Sequence, residues 1–84
     1  MMFSIALVAI ENYLKTLEEK DKKETTRRLI EAKEFDDVED IIINACNKFF
    51  TSKSNYNEID ASNLNNFCCE HWFELHKILR REAL

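Results

Sequence analysis

Residues 64–79 constrain the fold more than any other stretch, because they carry the longest apolar set at helical spacing. Leu64, Phe67, Cys68, His71, Trp72, Leu75, Ile78 and Leu79 recur at steps of three and four, which on a helix gathers them into one broad stripe. Trp72 and Phe67 give the stripe its bulk, and each large side chain contributes about 1.5–3 kcal/mol on full burial. The remaining helices are expected to pack onto this face.

The chain contains neither Gly nor Pro. That removes phosphate-cradling glycine loops, type II turns and glycine helix caps, and it favours helix nearly throughout. With 84 residues there is room for one core only. The expected fold is therefore all-α: residues 1–84 as a single small bundle of three long helices plus one shorter helix, with antiparallel neighbours.

Taken in order, Phe3, Leu7, Ile10, Leu14 and Leu17 keep the three-four spacing of an amphipathic first helix to about Glu19. A turn is expected near Lys20 to Lys23, where Asp21 with Glu24 fits a capping box. The second helix, about Lys22 to Glu34, offers only Leu29, Ile30 and Ala32 to a core and should be the least stable element. Asp36 with Glu39 repeats the capping pattern and is expected to start a third helix running to about Phe50, although a helix continuous across Phe35 keeps the same period. Val38, Ile41, Ile42, Ala45, Cys46 and Phe49 form its inner face. Thr51 to Asn57 reads as a loop, because its Thr, Ser and Asn side chains compete for backbone bonds. Asp60 or Ser62 then caps the last helix, whose Lys77, Arg80 and Arg81 oppose the negative end of its dipole.

The formal charge is −4, from 16 acidic and 12 basic side chains, so the electrostatic footprint of a nucleic-acid binder is missing. Three cysteines, an odd number with Cys68 and Cys69 adjacent, do not make a disulfide framework and point to a reducing cytoplasm. The apolar opening Met1 to Ile10 lacks the basic start of a signal peptide and is too short to span a bilayer.

Candidate chemistry is sparse. Cys68 and His71 share a helix face and Cys46 can approach from the third helix, but a closed zinc site needs four ligands in paired spacings. Packed thiols and a hydrogen-bonded histidine are the expected outcome. Cys69 and His76 lie seven residues apart, about 10 Å along a helix, too far for a catalytic Cys–His pair. The basic run Lys20, Lys22, Lys23, Arg27 and Arg28 is interleaved with Asp21, Glu24, Glu31 and Glu34 and reads as a solvated face of local ion pairs. No catalytic residue, cofactor or metal is expected.

Two features remain. Asp36, Asp37, Glu39 and Asp40 place four carboxylates within five residues, and residues 35–60 hold six acids against two lysines. Such a run complements a helix start, and it also steers a basic partner. The second feature is a set of apolar residues that miss the inner stripes. Ile43 and Phe50 lie on the flank of the third helix, Phe73 lies nearly opposite the stripe of the last, and Ile5 with Val8 leaves the first helix apolar nearly all round. Their burial by a partner or a second copy is the natural use.

The expected function is that of a non-enzymatic inhibitor or regulator that blocks a basic partner protein. The expected contact residues are Asp36, Asp37, Glu39, Asp40, Ile43, Phe50 and Phe73. Toxin-immunity proteins, antitoxins and phage-encoded inhibitors of host proteins are of this physical type. In size and charge the chain is similar to the small acidic helical immunity proteins of the colicin D kind, a likeness of class that no motif carries. The alternatives are a membrane-surface regulator using the apolar first helix and a homodimeric structural protein.

Overall fold

The computed structural model describes residues 2–51 and 58–82. These form five α-helices, α1 (Met2–Lys15), α2 (Glu19–Glu31), α3 (Glu39–Thr51), α4 (Glu58–Glu70) and α5 (Trp72–Glu82), with a single 3-10 turn at Phe35–Asp37 between α2 and α3. The described residues include no strand. One buried cluster draws on all five helices and on the turn: Ala6, Ile10 and Leu14 of α1, Leu29 of α2, Phe35 of the turn, Ile42 and Cys46 of α3, Leu64 and Cys68 of α4, and Leu75 and Leu79 of α5 are among its members. α3 is the central element, packing against α1 on one side and α4 on the other, while α5 packs on α2.

The apolar stripe of residues 64–79 is real but not carried by one helix. Leu64, Cys68, Trp72, Leu75 and Leu79 are all buried, while the helix is interrupted at His71. Hydrogen bonds from His71 N–H to the Phe67 carbonyl (3.0 Å) and from Leu75 N–H to the His71 carbonyl (2.9 Å) bracket the break. The two halves serve different neighbours. Before the break, Phe67 and His71 turn toward Phe3 of α1, with ring centroids at 5.0 and 5.8 Å. Beyond it, Trp72 meets Phe35 edge-on at 5.9 Å, and His76 Nε2 lies 2.8 Å from the Ile30 carbonyl of α2. His71, placed by its spacing on the inner stripe, is exposed.

The first turn lies earlier than the capping pattern suggests. α1 stops at Lys15, and Thr16 and Leu17 donate their backbone N–H groups to the carbonyls three residues back, at 3.0 and 3.1 Å. Thr16 Oγ1 adds a 2.6 Å bond to the Tyr13 carbonyl. Those bonds satisfy carbonyls that a helix end leaves open, without a glycine cap. Asp21 and Glu24 consequently sit inside α2 rather than capping it. Asp60 and Ser62 likewise lie inside α4, which begins at Glu58. The expected loop from Thr51 to Asn57 lies outside the described residues, except for Thr51, the last residue of α3.

α2 and α3 are not continuous across Phe35. Ala32 leaves the helix with extended backbone (φ −66°, ψ 127°), and Glu34 is extended as well (φ −116°, ψ 147°). The Asp37 carboxylate then accepts the Glu34 N–H at 3.3 Å. This is the capping pattern two residues earlier than the Asp36 and Glu39 pairing anticipates. The turn it closes presses Phe35 and Val38 into the core at 7% and 0% exposure.

Candidate functional site

The acidic run folds into the 3-10 turn and the first turn of α3, where all four carboxylates are exposed. They do not have equal roles. Arg28 of α2 grips Asp40 with both ends of its guanidinium, Nη1 to Oδ2 at 3.1 Å and Nη2 to Oδ1 at 3.0 Å, and Nη2 also donates to the Asp37 carbonyl at 2.9 Å. The planar fork matches a carboxylate in this bidentate way. The hydrogen bond from Arg28, helped by its charge and opposed by partial desolvation, holds the Asp40 carboxyl below the usual carboxylate range. Arg28 moves up in turn, chiefly through the same bond. Asp37 is occupied by the Glu34 N–H. Asp36, Asp37 and Glu39 form no ion pair among the described residues, so the unneutralised charge of this end rests with them.

One turn beyond Glu39 on α3 stands Ile43, 38% exposed. Asn47 follows one turn later, so Glu39, Ile43 and Asn47 form a single edge of the helix. Ile43 and Asn47 of that edge belong to one wall of a groove between α3 and α4 of about 530 Å³, lined also by Cys46, Ile59, Ala61, Ser62 and Asn65. Within it, Asn65 Oδ1 is buried without a hydrogen-bond partner. Among the described residues the lining contains no carboxylate, imidazole or amine, and the ionisable group it does contain is the Cys46 thiol.

The seven residues expected at a partner surface are therefore divided. Glu39 and Ile43 share the α3 edge, and Asp36 precedes them in the 3-10 turn. Asp37 and Asp40 lie beside them but are engaged in joining α2 to α3. Phe50 is only partly exposed, packed against the core and edge-on to Phe49 at 5.1 Å. Phe73 is 79% exposed on α5, under Lys77 Nζ at 5.6 Å, and takes no part in the groove. Of the two off-stripe residues on α1, Ile5 packs against the core and Val8 is 44% exposed. Asn47, Ile59, Ser62 and Asn65 were not legible as site residues. They become neighbours only when α4 is laid against α3, and no sequence spacing connects the two helices.

The other polar candidates lie elsewhere. Arg27 pairs with Glu24 at 2.6 Å and Glu31 at 3.0 Å along exposed α2, the local pairing expected of the basic run. His71 lies among Phe3 and Phe67, and His76 is held by Ile30 and by Trp72. Among the described residues no group of three or more His, Cys, Asp or Glu is placed to hold a metal ion, and no helix is long and apolar enough to cross a membrane. Neither family models, nor curated proteins, nor solved structures match this chain.

Proposed function

We propose that this chain is a non-enzymatic, cytoplasmic binding protein that inhibits or regulates another protein by docking a basic segment of it along the α3 edge. Immunity proteins, antitoxins and phage inhibitors of host proteins are of this physical type. The observation that supports the reading is the exposed Glu39 one turn before exposed Ile43 on α3, with the exposed carboxylate of Asp36 in the preceding turn and with Ile43 lining an open groove. Carboxylates at the rim accelerate and orient the approach of a basic partner. Apolar contact and desolvation in the groove then supply residence time.

The test is affinity capture from the cells that make the protein, with wild type alongside Glu39→Lys with Ile43→Asp as bait. Both positions are exposed, so the double variant should keep its circular dichroism and melting profile. A protein retained by wild type, released by rising salt and lost to the variant supports docking at the α3 edge. A partner retained equally by both baits places the contact elsewhere. Sedimentation of the purified chain separates the homodimer alternative, which requires a mass that rises with concentration.

A further inference from the structure

A second cavity, of about 270 Å³, lies where the later part of α1 meets the end of α3. It shares no lining residue with the groove between α3 and α4. α1 and the turn after it contribute Ala9, Tyr13 and Thr16, and α3 contributes Lys48, Phe49 and Thr51. The walls are apolar for local reasons. Ala9 is 1% exposed, and its single methyl leaves open a space that a larger side chain would fill. Tyr13 and Phe49 are partly buried and bring two aromatic rings. Thr16 and Thr51 donate their hydroxyl protons to the backbone carbonyls of Tyr13 and Asn47, at 2.6 Å each. Neither hydroxyl therefore has a proton to offer a ligand.

The charge in the lining has one sign. Lys48 Nζ lies 6.0 Å from the centroid of the Tyr13 ring, within the range at which a cation is attracted to a ring face. Lys48 forms no ion pair among the described residues. The remaining lining residue, Asn12, is neutral, so no carboxylate of the lining answers the ammonium. Aromatic and methyl walls with one orienting charge are the usual make-up of a small-molecule site. Size narrows the ligand further. A dry apolar cavity of about 150 Å³ takes benzene, so this larger one admits a single aromatic ring with a short chain attached.

We propose that this cavity is a binding site for a small aromatic carboxylate, with the ring of the ligand against Tyr13 and Phe49 and its carboxylate on Lys48 Nζ. The ammonium is the selecting element. A hydrogen bond between two charged groups is shorter and stronger than one between neutral groups. A neutral amide of the same shape keeps the apolar contact and loses the ion pair. The site is independent of the α3 edge and of any protein docked there.

The experiment titrates the full chain with 4-phenylbutanoate and, separately, with its uncharged amide, following heat by calorimetry and backbone amide shifts by NMR. The expected result is one acid molecule bound per chain, with shifts centred on Ala9, Tyr13, Lys48 and Phe49, and an affinity for the amide about tenfold lower. Lys48→Met removes the charge at an exposed position and should keep the circular dichroism of wild type. It should bind the acid about as weakly as wild type binds the amide. The proposal is overturned if millimolar acid does not bind, if the shifts centre on another part of the molecule, if wild type binds acid and amide equally, or if folded Lys48→Met keeps the preference for acid. Should Lys48→Met fail to fold, the acid-to-amide ratio and the shift map of wild type decide alone.

Discussion

Trp72 is 5% exposed, meets Phe35 edge-on at 5.9 Å and stacks on His76 at 5.3 Å, yet its indole Nε1 is buried without a hydrogen-bond partner. The ring's area stabilises the fold while its N–H opposes it, and the two effects separate by mutation. Trp72→Ala should cost about 3–5 kcal/mol, from lost transfer energy and the cavity left behind. That is comparable with the whole stability of a chain this size, at about 0.05–0.15 kcal/mol per residue. Trp72→Phe should cost well under half as much, because it keeps most of the contact and removes an N–H whose burial costs about 1–3 kcal/mol. Urea midpoints of the two variants check this, and equal losses would show that the ring contact Phe retains does not stabilise the site. Asp40 carries a pH signature. Its carboxyl is held low in the folded state by Arg28, so the pair's contribution is complete above about pH 4, where unfolded Asp is ionised. It is lost as pH falls through the folded value. Both side chains are largely in solvent, at 39% and 63% exposure, so the pair is worth at most about 1 kcal/mol. Asp40→Asn should therefore lower the melting temperature slightly at pH 7 and leave it unchanged near pH 2.

At the scale of elements, the sequence reveals which segments are helical and which faces turn inward, because the three-four period needs nothing beyond local spacing. Val38, Ile41, Ile42, Ala45 and Cys46 are buried as that period requires. The breaks were harder to read. Asp21 with Glu24 has the residues of a helix start but lies inside α2, while the true turn at Thr16 to Glu18 is closed by 3-10 bonds that no residue type announces. His71 interrupts the last helix without Gly or Pro beside it, where the chain passes from neighbours on α1 to neighbours on α2. Buried Ala6, Ala9 and Ala61 are missed for a related reason. Their value lies in letting helix axes approach, which appears only once a partner helix is in place. The candidate site divides the same way: the acidic run is plain in sequence, whereas the Arg28–Asp40 grip spans twelve residues and is purely tertiary. α2 itself buries Leu29 alone among its residues, so little apolar area holds it to the core. Part of its hold on α5 is the His76 bond to the Ile30 carbonyl, at the end of α2 where carbonyls lack helical partners. His76→Ala should cost about 1 kcal/mol and speed amide exchange in α2 while leaving the inner face of α3 protected. Uniform acceleration across the molecule would mean that α2 opens only with global unfolding.

At the scale of the whole molecule, the exposed apolar side chains are dispersed over the helices. Val8 is on α1, Ile43 on α3, Ile59 on α4 and Phe73 on α5. Isolated exposed side chains of this kind are ordinary on a small protein, and Ile43 and Ile59 are the two that share a groove. The apolar face of α1 is committed to the core through Ala6, Ala9, Ile10 and Leu14, which leaves the membrane-surface alternative Met2 and Val8 as the exposed large apolar side chains of α1 among the described residues. The central claim is that the α3 edge is the contact surface, and it predicts how association depends on charge. For the partner retained by wild type, association and dissociation rates should be measured against ionic strength for wild type, Glu39→Lys, Ile43→Asp and Phe73→Lys. The account predicts that Glu39→Lys slows association several-fold and flattens its salt dependence, that Ile43→Asp speeds dissociation tenfold or more, about 1.4 kcal/mol, and that Phe73→Lys changes neither. Unchanged rates for both α3 variants, with the loss appearing in Phe73→Lys, would contradict it.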